Sequence, residues 1–122
     1  MEESILTSIK KLVGIPEEYT NFDMDLIIHI NSALSVLNDL GVGPSEGFSI
    51  SDKTATWSDF VPNHKRIETI KSYVYLKVRM LFDPPTSSSV MEAMTRSINE
   101  FEWRINVAVD PEDKTEEVNV NG

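Results

Sequence analysis

The sequence predicts an all-α fold: a small bundle of about four helices, with a β-hairpin or long-loop insertion between helices 2 and 3 and a flexible acidic C-terminal tail. Three observations predict it. Apolar residues recur at spacings of three and four in four separate segments. Glycine and proline fall between those segments and never inside them. Between the second and third segments, Phe48 and Ile50 alternate with Ser49 and Ser51 in a strand-like way. At 122 residues and 40% hydrophobic content, the chain is long and apolar enough for one packed domain. That domain is expected over residues 1–107, with the tail over 108–122.

The first helix is read from Ile5, Leu6, Ile9, Leu12 and Val13, which form one stripe. Glu2 and Glu3 are expected in its first turn and Lys10 and Lys11 in its last, as a helix dipole favours. Gly14 suits a left-handed C-terminal cap, and Pro16 prevents continuation. The second helix runs from about Asp23 to Leu40 through Leu26, Ile27, Ile30, Ala33, Leu34 and Leu37. Thr20 or Asp23 is its expected cap. Gly41 ends it, and Gly43-Pro44 forces a turn.

Residues 41–63 are the least helical stretch and predict the hairpin or extended loop. Trp57 and Phe60 stand in this polar stretch, where large aromatics either anchor the loop or dock a partner. The third helix begins near Asn63 or His64 and ends at Phe82 before Asp83-Pro84-Pro85. Its second half is apolar nearly all round, which predicts the most buried helix. Ser89 and Glu92 have capping-box spacing at the start of the fourth, whose stripe is Val90, Met94, Ile98, Phe101 and Ile105. Glu92, Arg96, Glu100 and Arg104 follow one another at i, i+4, either as a solvated ion-pair ladder or as a contact stripe.

Charge and composition exclude much. The net charge is -9, and the acidity is concentrated in residues 1–63 and 108–122. Residues 64–107 carry seven bases and five acids. An acidic surface repels phosphate backbones and anionic lipid. There is no cysteine, so no disulfide, thiolate metal site or cysteine nucleophile can form. No apolar run approaches the roughly 20 residues of a membrane span, and Met1-Glu2-Glu3 is acidic where a secretory signal is basic. The chain therefore reads as a soluble protein of a reducing compartment.

Chemistry is sparse. The two histidines, His29 and His64, are isolated; His29 reads as a helix-surface pair with Asp25. Asp110, Glu112 and Asp113 lack the order of a calcium loop, and no glycine-rich phosphate loop is present. Neither an enzyme nor a cofactor or metal is expected. Lys65, Arg66, Lys71, Lys77 and Arg79 would suit a DNA-binding face, which the acidic remainder opposes.

Taken together, His29-Ile30-Asn31-Ser32-Ala33 through Leu40-Gly41-Val42-Gly43-Pro44, Gly47-Phe48-Ser49-Ile50, Thr56-Trp57, Tyr73 to Arg79, Phe82-Asp83-Pro84-Pro85 and Glu100 to Arg104 resemble the small head–tail connector (head-completion, or adaptor) proteins of tailed bacteriophages and prophages. The resemblance covers roughly residues 1–107. It implies a helical, non-enzymatic protein of the virion neck, made in the host cytoplasm, that forms a twelvefold ring below the portal protein. Such a ring extends the channel, passes DNA without sequence-specific binding, and docks a stopper or tail-completion protein. The free protein would be a ring or a monomer. The resemblance further implies contacts through residues 41–63 and 106–122. Partner-facing candidates are Phe48, Ile50, Trp57, Phe60, Trp103, Arg104, Val107 and Val109. Two other readings stand beside it: a DNA-packaging or small DNA-binding regulatory protein, and an acidic inhibitor-type interaction protein.

Overall fold

The computed structural model describes residues 3–62 and 65–109, with side chains as far as residue 107. Its helices are α1 (Ile5–Val13), α2 (Asp23–Asp39), α3 (Trp57–Phe60), α4 (Ile67–Phe82) and α5 (Ser88–Val109). The fold is all-α, as the periodicity predicts. The expected start of the third long helix at Asn63 or His64 lies outside the described residues, and α4 begins at Ile67. The last helix continues to Val109, past the expected boundary at 107, and the tail beyond it lies outside the described residues.

α1 is closed at both ends by its own sequence. The Ser4 hydroxyl accepts from the Thr7 N–H at 3.2 Å, and Gly14 takes φ 87° as the left-handed cap. Because the helix starts at Ile5, Glu3 stands outside its first turn and pairs across the fold with Lys71 at 3.0 Å.

α2 departs from the expected cap. Phe22 occupies the cap position without a side-chain bond, and neither Thr20 nor Asp23 serves. The reason is Lys10. Its side chain is buried and donates to the carbonyls of Glu17 and Tyr19 at 2.9 and 2.7 Å, while Nζ lies 2.8 Å from Asp23 Oδ1. Asp23 is thus committed to neutralising a buried cation inside the first turn, where the helix dipole also favours an acid. One lysine thereby ties α1 to the connecting loop and to the start of α2.

The core gathers Ile5, Leu6 and Ile9 of α1, Leu26, Ile30, Leu34 and Leu37 of α2, and Ile70, Tyr73, Val74 and Val78 of α4. Each such side chain contributes roughly 1.5–3 kcal/mol by leaving water. α4 packs against α1, α2 and α5, but its apolar second half is not the most buried stretch: there Val78 alone is fully buried and Leu81 is 53% exposed, because the buried positions cluster at Ile70, Tyr73 and Val74. α5 packs chiefly on α4, burying Ile98 and Ile105. Its first turn is capped by the Ser87 hydroxyl, 3.4 Å from the Val90 N–H, one residue outside the helix start. The Ser89–Glu92 capping box is therefore not the one used, and Val90 faces solvent. The Tyr73 hydroxyl donates to Glu102 Oε2 at 2.8 Å and joins the two helices. Burial, then the hydrogen bond and charge of Glu102, push the Tyr73 phenol far above its ordinary value.

The β-hairpin is not formed: the described residues contain no strand, and residues 41–56 are an extended loop ending in the single turn of α3. Two local choices decide this. The Asn31 amide donates to the Ile50 carbonyl at 2.9 Å and accepts from the Ile50 N–H at 2.7 Å, taking both groups a facing strand would need. Thr56 and Asp59 form a reciprocal capping box that starts a helical turn inside the stretch read as a hairpin or extended loop. The remaining sheet-like feature is one antiparallel bridge between Ser4 and Thr56.

Two outcomes follow. Lys10→Met keeps the bulk but strands Asp23 and two carbonyls, and should lower unfolding free energy by about 2–3 kcal/mol in urea titrations, the partly exposed Asp23 moderating the loss. Tyr73 has a folded pKa above its unfolded value, so its contribution is complete below about pH 10 and is lost as pH rises through and beyond it. The urea midpoint of the wild type should therefore fall more steeply between about pH 10 and 12 than that of Tyr73→Phe.

Candidate interaction surfaces

The insertion is held from three sides. Trp57 is only 4% exposed, and its indole N–H donates to the Ser8 hydroxyl at 2.9 Å, which in turn donates to the Ile5 carbonyl at 3.0 Å. The backbone repeats the tie, with Ile5 N–H on Ala55 O at 3.0 Å and Trp57 N–H on Glu3 O at 3.2 Å. Phe60 is buried and meets the half-buried Phe48 with ring centroids 5.2 Å apart. Gly43 has φ 86°, and a Cβ there would strike the Phe60 ring, so this turn needs glycine twice over. Asn38 closes the other end by donating to the carbonyls of Val42 and Pro44 at 3.1 and 2.6 Å.

These contacts resolve the choice the aromatics posed. Ile50, Trp57 and Phe60 are core residues of this chain, and Phe48 packs against them. They shape the insertion from beneath and leave its solvent side to residues 45–47, 49 and 51–54, all exposed. At that rim both the hydroxyl and N–H of Thr54 donate to Asp52, which keeps its carboxyl below the usual carboxylate range. A cleft of about 330 Å3 lies between α1, the start of α2 and residues 51–53. Its charged residues include the Lys10–Asp23 pair, already committed to each other.

Beside the insertion, Lys71 lies 6.0 Å from the Trp57 ring, 3.0 Å from Glu3 and 3.7 Å from Glu68. Burial works against its charge, but the bond and charge of Glu3, helped by Glu68, outweigh burial and raise its pKa. This lysine is thus spent on the fold, and the basic face expected on the third long helix is partly neutralised.

The other candidates lie elsewhere. Trp103 on α5 is 67% exposed, Arg104 pairs with Glu100 at 2.6 Å, and Val107 is half-buried near the helix end. Val109 closes α5; its side chain lies outside the described residues, as does His64. His29 is half-buried and makes no bond to Asp25 among the described residues. The structure therefore separates an inward group on the insertion from an outward pair on α5, Trp103 and Arg104. Sequence reasoning missed a third feature, the exposed pair Met24 and Ile28 on α2. Both fall two residues from core positions Leu26 and Ile30, a spacing that places them on the opposite side of the helix.

Among the described residues no group of three or more acids and histidines could hold a metal ion, and no helix is long and apolar enough to cross a membrane. A family model described as phage connector protein matches residues 5–112. No curated protein and no solved structure matches the chain.

Proposed function

Since the chain belongs to the phage connector protein family, we propose that it is a head–tail connector that assembles as a ring below the portal, extends the DNA channel and docks the stopper or tail-completion protein. A phage connector is a structural component of the virion, not a catalyst. The family match over nearly the whole chain carries the reading. The distribution of free surface supports it: a closed ring of identical copies needs two different faces per copy, and α2 and α5 each leave an apolar residue in water. The portal sets the copy number, twelve in our reading. The C-terminal segment 106–122 is assigned to the portal, and residues 41–63 to the ring or channel. An acidic rim there, with Asp52 and Asp59 exposed, repels phosphate and lets DNA pass without adhering.

Light-scattering mass after size exclusion, on the protein alone and then with the cognate portal, tests this. The expected result is a ring-sized mass, free or on the portal. A small stable oligomer that ignores the portal would contradict the assignment.

A further inference from the structure

α1, α3 and α5 each begin on a hydroxyl cap, whereas α2 begins on Phe22, whose ring accepts nothing from the free N–H groups of the first turn. The ring lies at the surface instead. It packs edge-on against Phe82 with 5.2 Å between centroids and stands 5.6 Å from Tyr19, yet it remains 39% exposed. Tyr19 is 42% and Met24 73% exposed, so three large apolar side chains within residues 19–24 stand in water. Asn21 donates to the Tyr19 hydroxyl at 3.1 Å, which holds the aromatic pair in place before any partner arrives. A capping rule broken with no gain inside the fold marks a position kept for another purpose.

The charge around these rings is one-sided. Residues 17–25 contain Glu17, Glu18, Asp23 and Asp25 and no Lys or Arg. Each base that approaches from elsewhere has an acid of its own. Lys10 is buried with Asp23, Lys11 shares a groove with Glu17, and Lys53 follows Asp52 in the cleft beside Met24. Arg79 donates to the Asp83 carbonyl and feels the charge of that residue's carboxylate. That leaves Glu18, next to Tyr19, and Asp25, one turn beyond Phe22, exposed and in no ion pair among the described residues. Aromatic rings between two unpaired carboxylates suit a Lys or Arg whose stem lies on a ring and whose head reaches an acid.

This surface lies far from the C-terminal segment. Residues 83–87 join α4 to α5 and Tyr73 bonds Glu102, so α5 runs back along α4. α5 is 22 residues long, which puts Val109 roughly 33 Å along it from the turn that follows Phe82. With segment 106–122 at the portal, the Tyr19–Phe22 surface is left for a different partner. We infer that Tyr19, Phe22 and Met24, bracketed by Glu18 and Asp25, dock the stopper or tail-completion protein through a segment of it that carries an apolar side chain between Lys or Arg residues. This rests on the connector reading and names, within it, the surface that receives that partner and the chemistry it recognises.

The test titrates the cognate stopper or tail-completion protein against the portal-bound ring, for wild type and for Glu18→Lys, Asp25→Lys and Phe22→Asn. All three positions are exposed, and asparagine is among the preferred cap residues, so each variant should fold, which circular dichroism verifies. Each substitution should weaken binding by about tenfold or more, while assembly on the portal stays at the wild-type level. Wild-type affinity should fall as salt is added, and less steeply once either acid is reversed. Folded variants that bind the stopper as wild type does, or that lose portal assembly instead, would overturn this surface while wild-type rings leave the connector reading intact. A wild-type ring that ignores the stopper, or binds it independently of salt, would also overturn it. Wild type that neither forms rings nor binds the portal would overturn the connector reading and this surface with it.

Discussion

The indole of Trp57 sits where three parts of the chain meet, and the rest of the structure depends on its burial. Its N–H is satisfied by Ser8, its backbone N–H by Glu3, and its ring lies beside Lys71 of α4. A buried indole needs a partner for its one donor, and α1 supplies it from a serine whose own proton is taken by Ile5. The N-terminal segment, the insertion and the central helix are thereby fixed to one another over large sequence separations. Ordering an insertion of about twenty residues costs conformational entropy at each of them. Here that cost is offset within the monomer, by Asn31 on Ile50, Phe60 over Gly43 and Trp57 on Ser8.

The consequence for assembly is preorganisation. A loop already held in place does not have to be ordered when it meets a partner, so less of the contact energy is spent on binding. The flanks are built differently. α5 buries Ile98 and Ile105 and leaves most of its circumference in water, while α2 turns Met24 and Ile28 outward opposite its core stripe. A rigid centre with two unlike open flanks is what head-to-tail association of identical copies requires. Membership of the phage connector family gives that geometry its setting.

Much of this was legible in the sequence, where one local rule governed each element. The helical class, Gly14 as the cap of α1, the stop at Asp83-Pro84-Pro85 and the centrality of α4 all follow from periodicity and punctuation. The misreadings share a cause: a polar side chain acted at long range. Asn31 took the backbone groups of Ile50, nineteen residues away, and the alternation at 48–51 never became a strand. Lys10, in the last turn of α1 as its position predicts, is drawn inside by two carbonyls and takes Asp23 from the expected cap of α2. The candidate site divided in the same way. Trp103 and Arg104 are exposed, whereas Ile50, Trp57 and Phe60 face inward because their partners come from α1, α2 and the Gly43 turn. The Met24–Ile28 pair carried a signal, since both interrupt the 3.6 pattern of α2, but an apolar run masks its own outward members.

The central claim is that the insertion is finished within the monomer and that a partner covers the start of α2. Hydroxyl-radical footprinting of the free protein and of the ring with the stopper or tail-completion protein bound measures both halves at once. The account predicts that Trp57 and Phe60 react slowly in both states, while Tyr19, Phe22 and Met24 react fast when free and slowly in the complex. Fast labelling of Trp57 in the free protein, or unchanged labelling of Phe22 and Met24 in the complex, would contradict it.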